Sequence, residues 1–136
     1  MRIYFSGSIS GGRADQQVYA GLIARLRAFG TVLTEHIGDP ALTEQGEDGR
    51  DDRAIHDRDI AWLRQADVVV AEVTAPSLGV GYEIGKASEW GKPVLCLHRG
   101  GRRLSAMIAG CPGAVIRQYQ TLDEAGSAIQ EFLAVK

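Results

Sequence analysis

Residues 67–81 read DVVVAEVTAPSLGVG, an apolar run followed by a segment rich in Gly and Ser. The run Asp67–Val73 lacks polar alternation, which is typical of a parallel strand covered on both faces. Pro93–Leu97 has the same character, and a helical pattern at Val80–Trp90 separates the two runs. The order strand, helix, strand favours a parallel sheet with helices packed on its faces.

The same alternation continues outward in both directions along the chain. Further strands are predicted at Arg2–Ser6, Thr31–Thr34 and Ala114–Arg117, and further helices at Asp15–Phe29, Arg53–Gln65 and Leu122–Val135. Gly30 is expected to cap the first helix and Gly91 to close the helix Val80–Trp90. The sequence therefore predicts a doubly wound α/β fold, Rossmann- or flavodoxin-like, as a single domain over residues 1–136.

Five parallel strands in such a fold most often have the order 2-1-3-4-5, and ligands bind where that order reverses, outside the carboxyl ends of strands 1 and 3. Strand 1 is followed by SGSISGGR (Ser6–Arg13) and strand 3 by TAPSLGVG (Thr74–Gly81). Both segments are rich in Gly and Ser, and each leads into a helix. Backbone amides at a helix N-terminus can hold an anion, with Arg13 as a nearby cation, although a tight turn explains either segment taken alone.

Overall composition points to no polymer or membrane partner. The chain has 136 residues, 15 of them basic and 17 acidic, for a net charge of −2, and 45% are apolar. No apolar run approaches the roughly 20 residues of a membrane helix, and the N-terminus lacks the pattern of a signal peptide. Cys96 and Cys111 form no CxxC motif, so a reduced, cytoplasmic protein is expected. Neither Gly-rich segment matches GxGxxG or GxxxxGK[ST], which disfavours a Walker-type NTPase.

Two carboxylates occupy unusual positions in the predicted helices. Asp59 lies four residues after Ile55 and four before Leu63, on the apolar face of its helix, where desolvation is expected to keep it protonated as a general acid. Glu83 follows the second Gly-rich segment and is expected in the first turn of its helix, where the dipole favours an anion. Such a pair suits glycoside cleavage with one carboxylate as nucleophile. The alternatives are a buried capping Asp and an inert first-turn Glu.

The histidines and the long acidic connection His36–Asp52 leave more than one interpretation open. The connection is either a solvated loop or a lid over the site. His56 and Asp59 are spaced to face a common metal ion, but no third ligand is evident, so neither metal nor organic cofactor is predicted. Ser105, in LSAMIAG, is expected to cap a short helix.

Five segments together resemble one enzyme family. They are YFSGSISGGR (4–13), GTVLTEH (30–36), IHDRDIAWLRQADVVVAEVTAPSLGVGYEIGKA (55–87), KPVLCL (92–97) and LSAMI (104–108). This pattern is similar to that of the 2′-deoxynucleoside 5′-monophosphate N-hydrolases (Rcl-type) of the nucleoside 2-deoxyribosyltransferase superfamily. The resemblance is most specific over Ile55–Gly85 and weakens beyond Gly110. It implies cleavage of the N-glycosidic bond to a free base and 2-deoxyribose 5-phosphate, without a cofactor.

The resemblance also implies roles for individual residues. Glu83 corresponds to the nucleophile at C1′, Asp59 to the acid that protonates the leaving base, and Tyr4 to a residue beside the nucleophile and the sugar. Ser105 corresponds to a serine that reaches the phosphate in the neighbouring subunit's site, which implies a homodimer. The substrate-binding positions implied in the two loops are Gly7, Ser8, Ser10, Gly11, Gly12, Arg13, Ser77 and Gly79.

Ile9, His36 and the acidic connection are expected on the side of the base. The family commonly carries Arg at the position of Ser10, so one cationic phosphate contact is expected to be missing, with Arg102 and Arg103 as potential replacements. Three alternatives remain: transfer of deoxyribose to a second base, hydrolysis of ribonucleotides such as CMP, and a silent nucleotide-binding module. Relatives that act on CMP carry Phe at the position of Tyr4, so Tyr4 favours deoxyribose.

Overall fold

The structure, a computed structural model, describes residues 1–9, 15–39 and 51–136. Within them, five parallel strands form one sheet in the order β2-β1-β3-β4-β5, which confirms the predicted fold and strand order. The strands are β1 (Arg2–Ser6), β2 (Thr31–Val32), β3 (Val68–Glu72), β4 (Val94–His98) and β5 (Ala114–Gln118). The predicted loop residues Ser10, Gly11, Gly12 and Arg13, and most of the acidic connection, lie outside the described residues.

The helices cover both faces of the sheet. They are α1 (Gln16–Leu26), α2 (Asp52–Gln65), α3 (Leu78–Glu89), α4 (Ala106–Ala109) and α5 (Leu122–Ala134), with a 3-10 turn at Glu35–Gly38. Along β1, Ile3 and Phe5 join the core cluster beneath α1 and α5, whereas Tyr4 joins the cluster beneath α2 and α3. All five residues of β3 are buried, as expected for a strand covered on both sides.

β2 ends two residues earlier than the sequence predicts. The hydroxyl of Thr34 accepts a hydrogen bond from the amide of Phe5 at 2.9 Å and donates one to the Phe5 carbonyl at 2.6 Å. This buried side chain therefore satisfies the backbone of β1 in the place of a continuing ladder. The chain then turns into the 3-10 turn Glu35–Gly38.

A capping side chain sets the start of α2 one residue earlier than predicted. α2 begins at Asp52 because the carboxylate of Asp51 accepts from the Ala54 amide at 2.7 Å. The predicted role of Gly30 as a cap is wrong, since α1 ends at Leu26. A Cβ at Gly30 would lie 2.1 Å from the Met1 carbonyl oxygen, so glycine there permits the close approach of β1.

Gly91 has φ +72° and closes α3 as predicted. Cys96 and Cys111 are both free thiols, and Cys96 is buried within β4. In the three described ranges, no helix has the length and apolar character needed to cross a membrane.

Candidate active site

Glu83 of α3 is held by two side chains from β1. Tyr4 and Ser6 are two positions apart on the strand, so they face the same side of the sheet. The phenol of Tyr4 donates a hydrogen bond to Oε2 of Glu83, and the hydroxyl of Ser6 donates one to Oε1 at 2.6 Å. Tyr4 and Ser6 are both buried. Both carboxylate oxygens are therefore partnered, and the carboxylate is oriented by the sheet.

Burial sets the protonation of this cluster. The pKa of Glu83 is raised from 4.5 to about 7. Desolvation is the largest cause, the hydrogen bonds from Ser6 and Tyr4 lower the pKa, and the nearby charge of Asp59 raises it. The pKa of Tyr4 is raised by burial and by the charges of Glu83 and Asp59. Tyr4 therefore remains a proton-bearing hydrogen-bond donor across the physiological range.

The expected position of Glu83 in the first helical turn is wrong. The hydroxyl of Ser77 accepts from the Val80 amide at 3.3 Å, so α3 begins at Leu78. Glu83 is then the sixth residue of the helix, beyond the turn in which the dipole acts strongly. Desolvation, rather than the helix dipole, dominates its acidity.

Asp59 faces inward from α2, as its spacing predicts. Its side chain is 22% exposed, whereas that of Asp57, two residues earlier, is 55% exposed. The Arg58 guanidinium donates to Oδ1 of Asp59 through Nε at 3.0 Å and Nη2 at 2.9 Å. An adjacent cation stabilises the ionised carboxylate, which opposes the expected effect of desolvation.

Arg58 is a residue of the site that the sequence argument missed. Its guanidinium lies 4.7 Å from the centre of the Trp62 ring, and Nη2 is 3.4 Å from Nε2 of His36. The rings of His36 and Trp62 are 5.7 Å apart. The structure therefore gathers His36, Arg58 and Trp62 beside Asp59. A charged residue next to an inward-facing Asp was the available signal.

The described part of the first loop contains an unpaired buried hydroxyl. The amide of Ser8 donates to the phenol of Tyr19 at 3.1 Å, and Ser8 itself is 1% exposed. Its Oγ has no hydrogen-bond partner among the described residues. A Cβ at Gly7 would lie 3.1–3.2 Å from the rings of Phe5 and Tyr19, so this segment packs closely against the core. Ile9 is partly buried against the same core.

Ser77 and Ser105 line one cleft of about 690 Å³ between α3 and the segment that contains α4. The hydroxyl of Ser105 accepts from the Met107 amide at 3.2 Å, which confirms its predicted capping role. His98, Arg102 and Arg103 also line the cleft.

Two proposed catalytic residues, Glu83 and Tyr4, are not among the residues that line this cleft. Gly79 is exposed in the first turn of α3. Within the described ranges, no three His, Cys, Asp or Glu side chains cluster in a way that would hold a metal ion.

Solved structures of low sequence identity share this fold. A CMP N-glycosidase from Clostridium botulinum superposes with a TM-score of 0.71 at 19% identity, covering 97% of this chain and 99% of its own. A 2-deoxyribosyltransferase from Bacillus psychrosaccharolyticus gives a TM-score of 0.68 at 18% identity, covering 93% and 90% of the two chains.

Sequence comparison gives a closer relationship. A protein of Mus musculus named 5-hydroxymethyl-dUMP N-hydrolase is 54% identical over 96% of this chain and 76% of its own length. A Tetraodon nigroviridis protein of the same name is 53% identical over 98% of both chains. A Trichoplax adhaerens protein named putative 2′-deoxynucleoside 5′-phosphate N-hydrolase 1 is 52% identical over 98% of this chain and 94% of its own length. The family model for nucleoside 2-deoxyribosyltransferase matches residues 3–129, and the chain belongs to this family.

Proposed function

We propose that this protein hydrolyses the N-glycosidic bond of 2′-deoxynucleoside 5′-monophosphates, giving a free base and 2-deoxyribose 5-phosphate. The observation that carries the proposal is the carboxylate of Glu83, held at both oxygens by Tyr4 and Ser6 within the electrostatic field of Asp59. Relatives that are more than half identical and are named N-hydrolases of such nucleotides support the reaction class.

Glu83 acts as the nucleophile in the first step. Its carboxylate forms a bond to C1′ as the bond from C1′ to the base nitrogen breaks, through an oxocarbenium-like transition state. Asp59 gives its proton to the leaving base. The products of this step are the free base and a deoxyribosyl ester of Glu83.

Water completes the reaction in the second step. The ionised Asp59 takes a proton from a water molecule, whose oxygen attacks C1′ and releases the Glu83 carboxylate. Asp59 is thereby protonated again, and 2-deoxyribose 5-phosphate leaves. No redox change occurs, and every proton is returned.

The free enzyme and the reactive complex differ in which of the two carboxyl groups, Glu83 or Asp59, carries the proton. Burial favours the protonated form of Glu83, and the ion pair with Arg58 favours ionised Asp59. Attack requires the opposite arrangement, so we infer that one proton moves from the Glu83 side of the site to Asp59 when substrate binds. Both carboxyl groups then titrate as a coupled pair.

The 5′-phosphate binds the two Gly-rich loops at the carboxyl ends of β1 and β3. The buried hydroxyl of Ser8, which has no hydrogen-bond partner among the described residues, supports this placement because it supplies a donor where the loop begins. Gly7, Ser10, Gly11, Gly12 and Arg13 belong to the same proposed loop, and Ser77 and Gly79 to the second.

The base lies toward Ile9 and the cluster of His36, Arg58 and Trp62. An aromatic ring and a guanidinium suit a planar base that bears carbonyl oxygens, as a pyrimidine does. Two of the relatives above are named for 5-hydroxymethyl-dUMP, and the third is named for 2′-deoxynucleoside 5′-phosphates in general. For this reason 5-hydroxymethyl-dUMP is the first substrate to assay.

The working form is a homodimer in which Ser105 reaches the partner's site. Leu78 and Met107 line the cleft beside α4 and are 96% and 82% exposed. Large apolar side chains in such a position favour a protein partner. The free thiols of Cys96 and Cys111 favour a reducing, cytoplasmic setting.

The test is release of free base from a panel of deoxy- and ribonucleoside monophosphates and the matching nucleosides. The expected result is base release from deoxynucleoside monophosphates and its loss in Glu83→Ala. A Glu83→Ala enzyme with near wild-type turnover would overturn the proposal. Added acceptor base distinguishes transferase activity by an exchanged nucleotide, CMP against dCMP distinguishes a ribonucleotide glycosidase, and binding without base release indicates a silent module.

A further inference from the structure

A second buried polar cluster lies on the opposite face of the sheet from Glu83. Glu72, the last residue of β3, is 1% exposed and follows Val68 and Val70 on the side of α1 and α5. Its carboxylate accepts hydrogen bonds from the amide of Thr74 at 2.7 Å, the hydroxyl of Thr74 at 2.9 Å and the phenol of Tyr119. These contacts fix the start of the second Gly-rich loop.

Arg99 connects this cluster to the start of α1. It follows β4, and its amide donates to the hydroxyl of Thr74 at 3.0 Å. Its Nε lies 3.8 Å from the carboxylate of Glu72, and its Nη2 pairs with Oδ1 of Asp15 at 2.7 Å. One guanidinium therefore bridges the carboxyl end of β3 and the residue at which α1 begins.

Asp15 is used in an unusual way for a residue that precedes a helix. It occupies the N-cap position of α1, but its side chain forms no capping bond to the described amides of that helix. Its carboxylate is instead 17% exposed and paired with Arg99. An Asp at this position ordinarily caps its own helix, so the pairing with a distant strand end points to a different role.

Described residues on both sides of positions 10–14 are thus held by specific contacts. The phenol of Tyr19 in α1 accepts a hydrogen bond from the amide of Ser8. Arg99 forms an ion pair with Asp15, the residue that precedes α1. The second loop starts at Thr74, which Glu72 and Arg99 both contact.

We propose that Arg99 is a positioning residue that fixes the start of α1 relative to the start of the second Gly-rich loop, through Asp15 and Thr74. This inference rests on the proposed function, because it assumes that both loops hold the 5′-phosphate. Arg99 acts on binding and not on bond cleavage, since the cluster lies across the sheet from Glu83. Weakening the bridge raises KM for the nucleotide and leaves kcat nearly unchanged.

The central test is Asp15→Asn, which removes one charge and keeps the size and polarity of the side chain. Arg99 retains Glu72 as an ionic partner in this variant, so no buried cation is left uncompensated. We expect KM for the deoxynucleoside monophosphate to rise about tenfold, with kcat within about twofold. The inhibition constant of inorganic phosphate should rise by the same factor.

A matched control and a second variant separate positioning from general stability. Arg25 of α1 pairs with Asp123 of α5 at 3.0 Å, on a surface where Asp123 is 96% exposed. Asp123→Asn removes a similar ion pair from the same helix and should leave KM and phosphate inhibition unchanged. Arg99→Lys keeps the charge but loses the planar fork, and should give a smaller rise in KM than Asp15→Asn.

Unchanged KM and phosphate inhibition in Asp15→Asn would overturn the inference, as would a fall in kcat with KM unchanged. If the wild-type protein releases no base from any nucleotide, the proposed function fails by itself. Calorimetric binding of inorganic phosphate to wild type and to Asp15→Asn then decides the inference. Weaker binding to the variant supports it, and equal binding, or none to either protein, overturns it.

Discussion

Tyr4 and Glu83 are 79 positions apart in the chain, and the phenol of Tyr4 donates a hydrogen bond to the Glu83 carboxylate. The donor belongs to β1 in the middle of the sheet, and the acceptor to α3 on its surface. Ser6 binds the other carboxylate oxygen, at 2.6 Å. Two side chains of β1 therefore orient the proposed nucleophile and lower its pKa against the opposing effect of burial.

Tyr4→Phe should move the alkaline limb of the pH profile of kcat/KM to higher pH. In the wild type this limb should lie near pH 7, because deprotonation of Glu83 above that pH removes the proton that must move to Asp59 for delivery to the base. The bond from Tyr4 lowers the pKa of Glu83, so its removal should shift the limb upward by about half to one unit. Base release measured from pH 5 to 9 checks this.

Tyr82→Phe is the matched control, since Tyr82 precedes Glu83 on α3 but is 47% exposed and contacts His56. Its profile should coincide with that of the wild type. An alkaline limb in Tyr4→Phe at the wild-type position would refute the role of Tyr4 in tuning Glu83.

Glu83→Gln should abolish base release and also stabilise the protein above neutral pH. A carboxyl whose pKa rises from 4.5 to about 7 on folding favours the folded state fully below pH 4.5 and loses that contribution as pH rises through about 7. Glutamine has no such titration. At pH 8 the variant should therefore gain about 3 kcal/mol in free energy of unfolding, and little at pH 4.5.

Urea unfolding at both pH values measures this difference. Glu89→Gln on the same helix is the control, because Glu89 is exposed, and its two unfolding curves should follow the wild type. A stability gain of Glu83→Gln that is equal at pH 4.5 and pH 8 would contradict the burial of an ionisable nucleophile.

The fold follows from the sequence because its signals are local and repeated. The unbroken apolar run of β3 reports burial on both faces, and the Gly-rich segments after β1 and β3 report the edge at which the strand order reverses. The inward direction of Asp59 follows from helical spacing alone. Each of these depends on residues within a few positions of one another.

What the sequence missed depends on contacts between distant segments. The sequence around Thr34 does not show that its hydroxyl would bind the backbone of Phe5 and end β2. Nor does it show that Ser77 would cap α3 early enough to place Glu83 beyond the first turn. The carboxylate of Glu72 was overlooked for the same reason. Protonation was the least predictable property, because desolvation and ion pairing are set by the packed tertiary structure.

Asp59→Asn should slow cleavage strongly when the leaving group needs a proton to depart, and only weakly when it does not. With a natural base, loss of the general acid should lower kcat by about 10²–10⁴-fold. With 2-deoxyribose 5-phosphate linked to 4-nitrophenol, a leaving group that departs without protonation, the loss should be less than about tenfold. Asp57→Asn is the control, since Asp57 is exposed and paired with Arg53. Equal losses on both substrates would contradict acid catalysis by Asp59.

Met107→Glu should weaken the proposed homodimer and lower activity at low protein concentration. Met107 is 82% exposed and lines the cleft that also contains Ser105, so a charge there would have to be desolvated when a second copy covers it. Sedimentation velocity over a range of concentrations should show a dissociation constant raised at least tenfold. Specific activity should fall upon dilution in parallel.

Val135→Glu, at a 77% exposed apolar residue near the end of the chain, should leave both properties unchanged. A Met107→Glu protein with the sedimentation and activity of the wild type would show that this cleft is not the dimer interface.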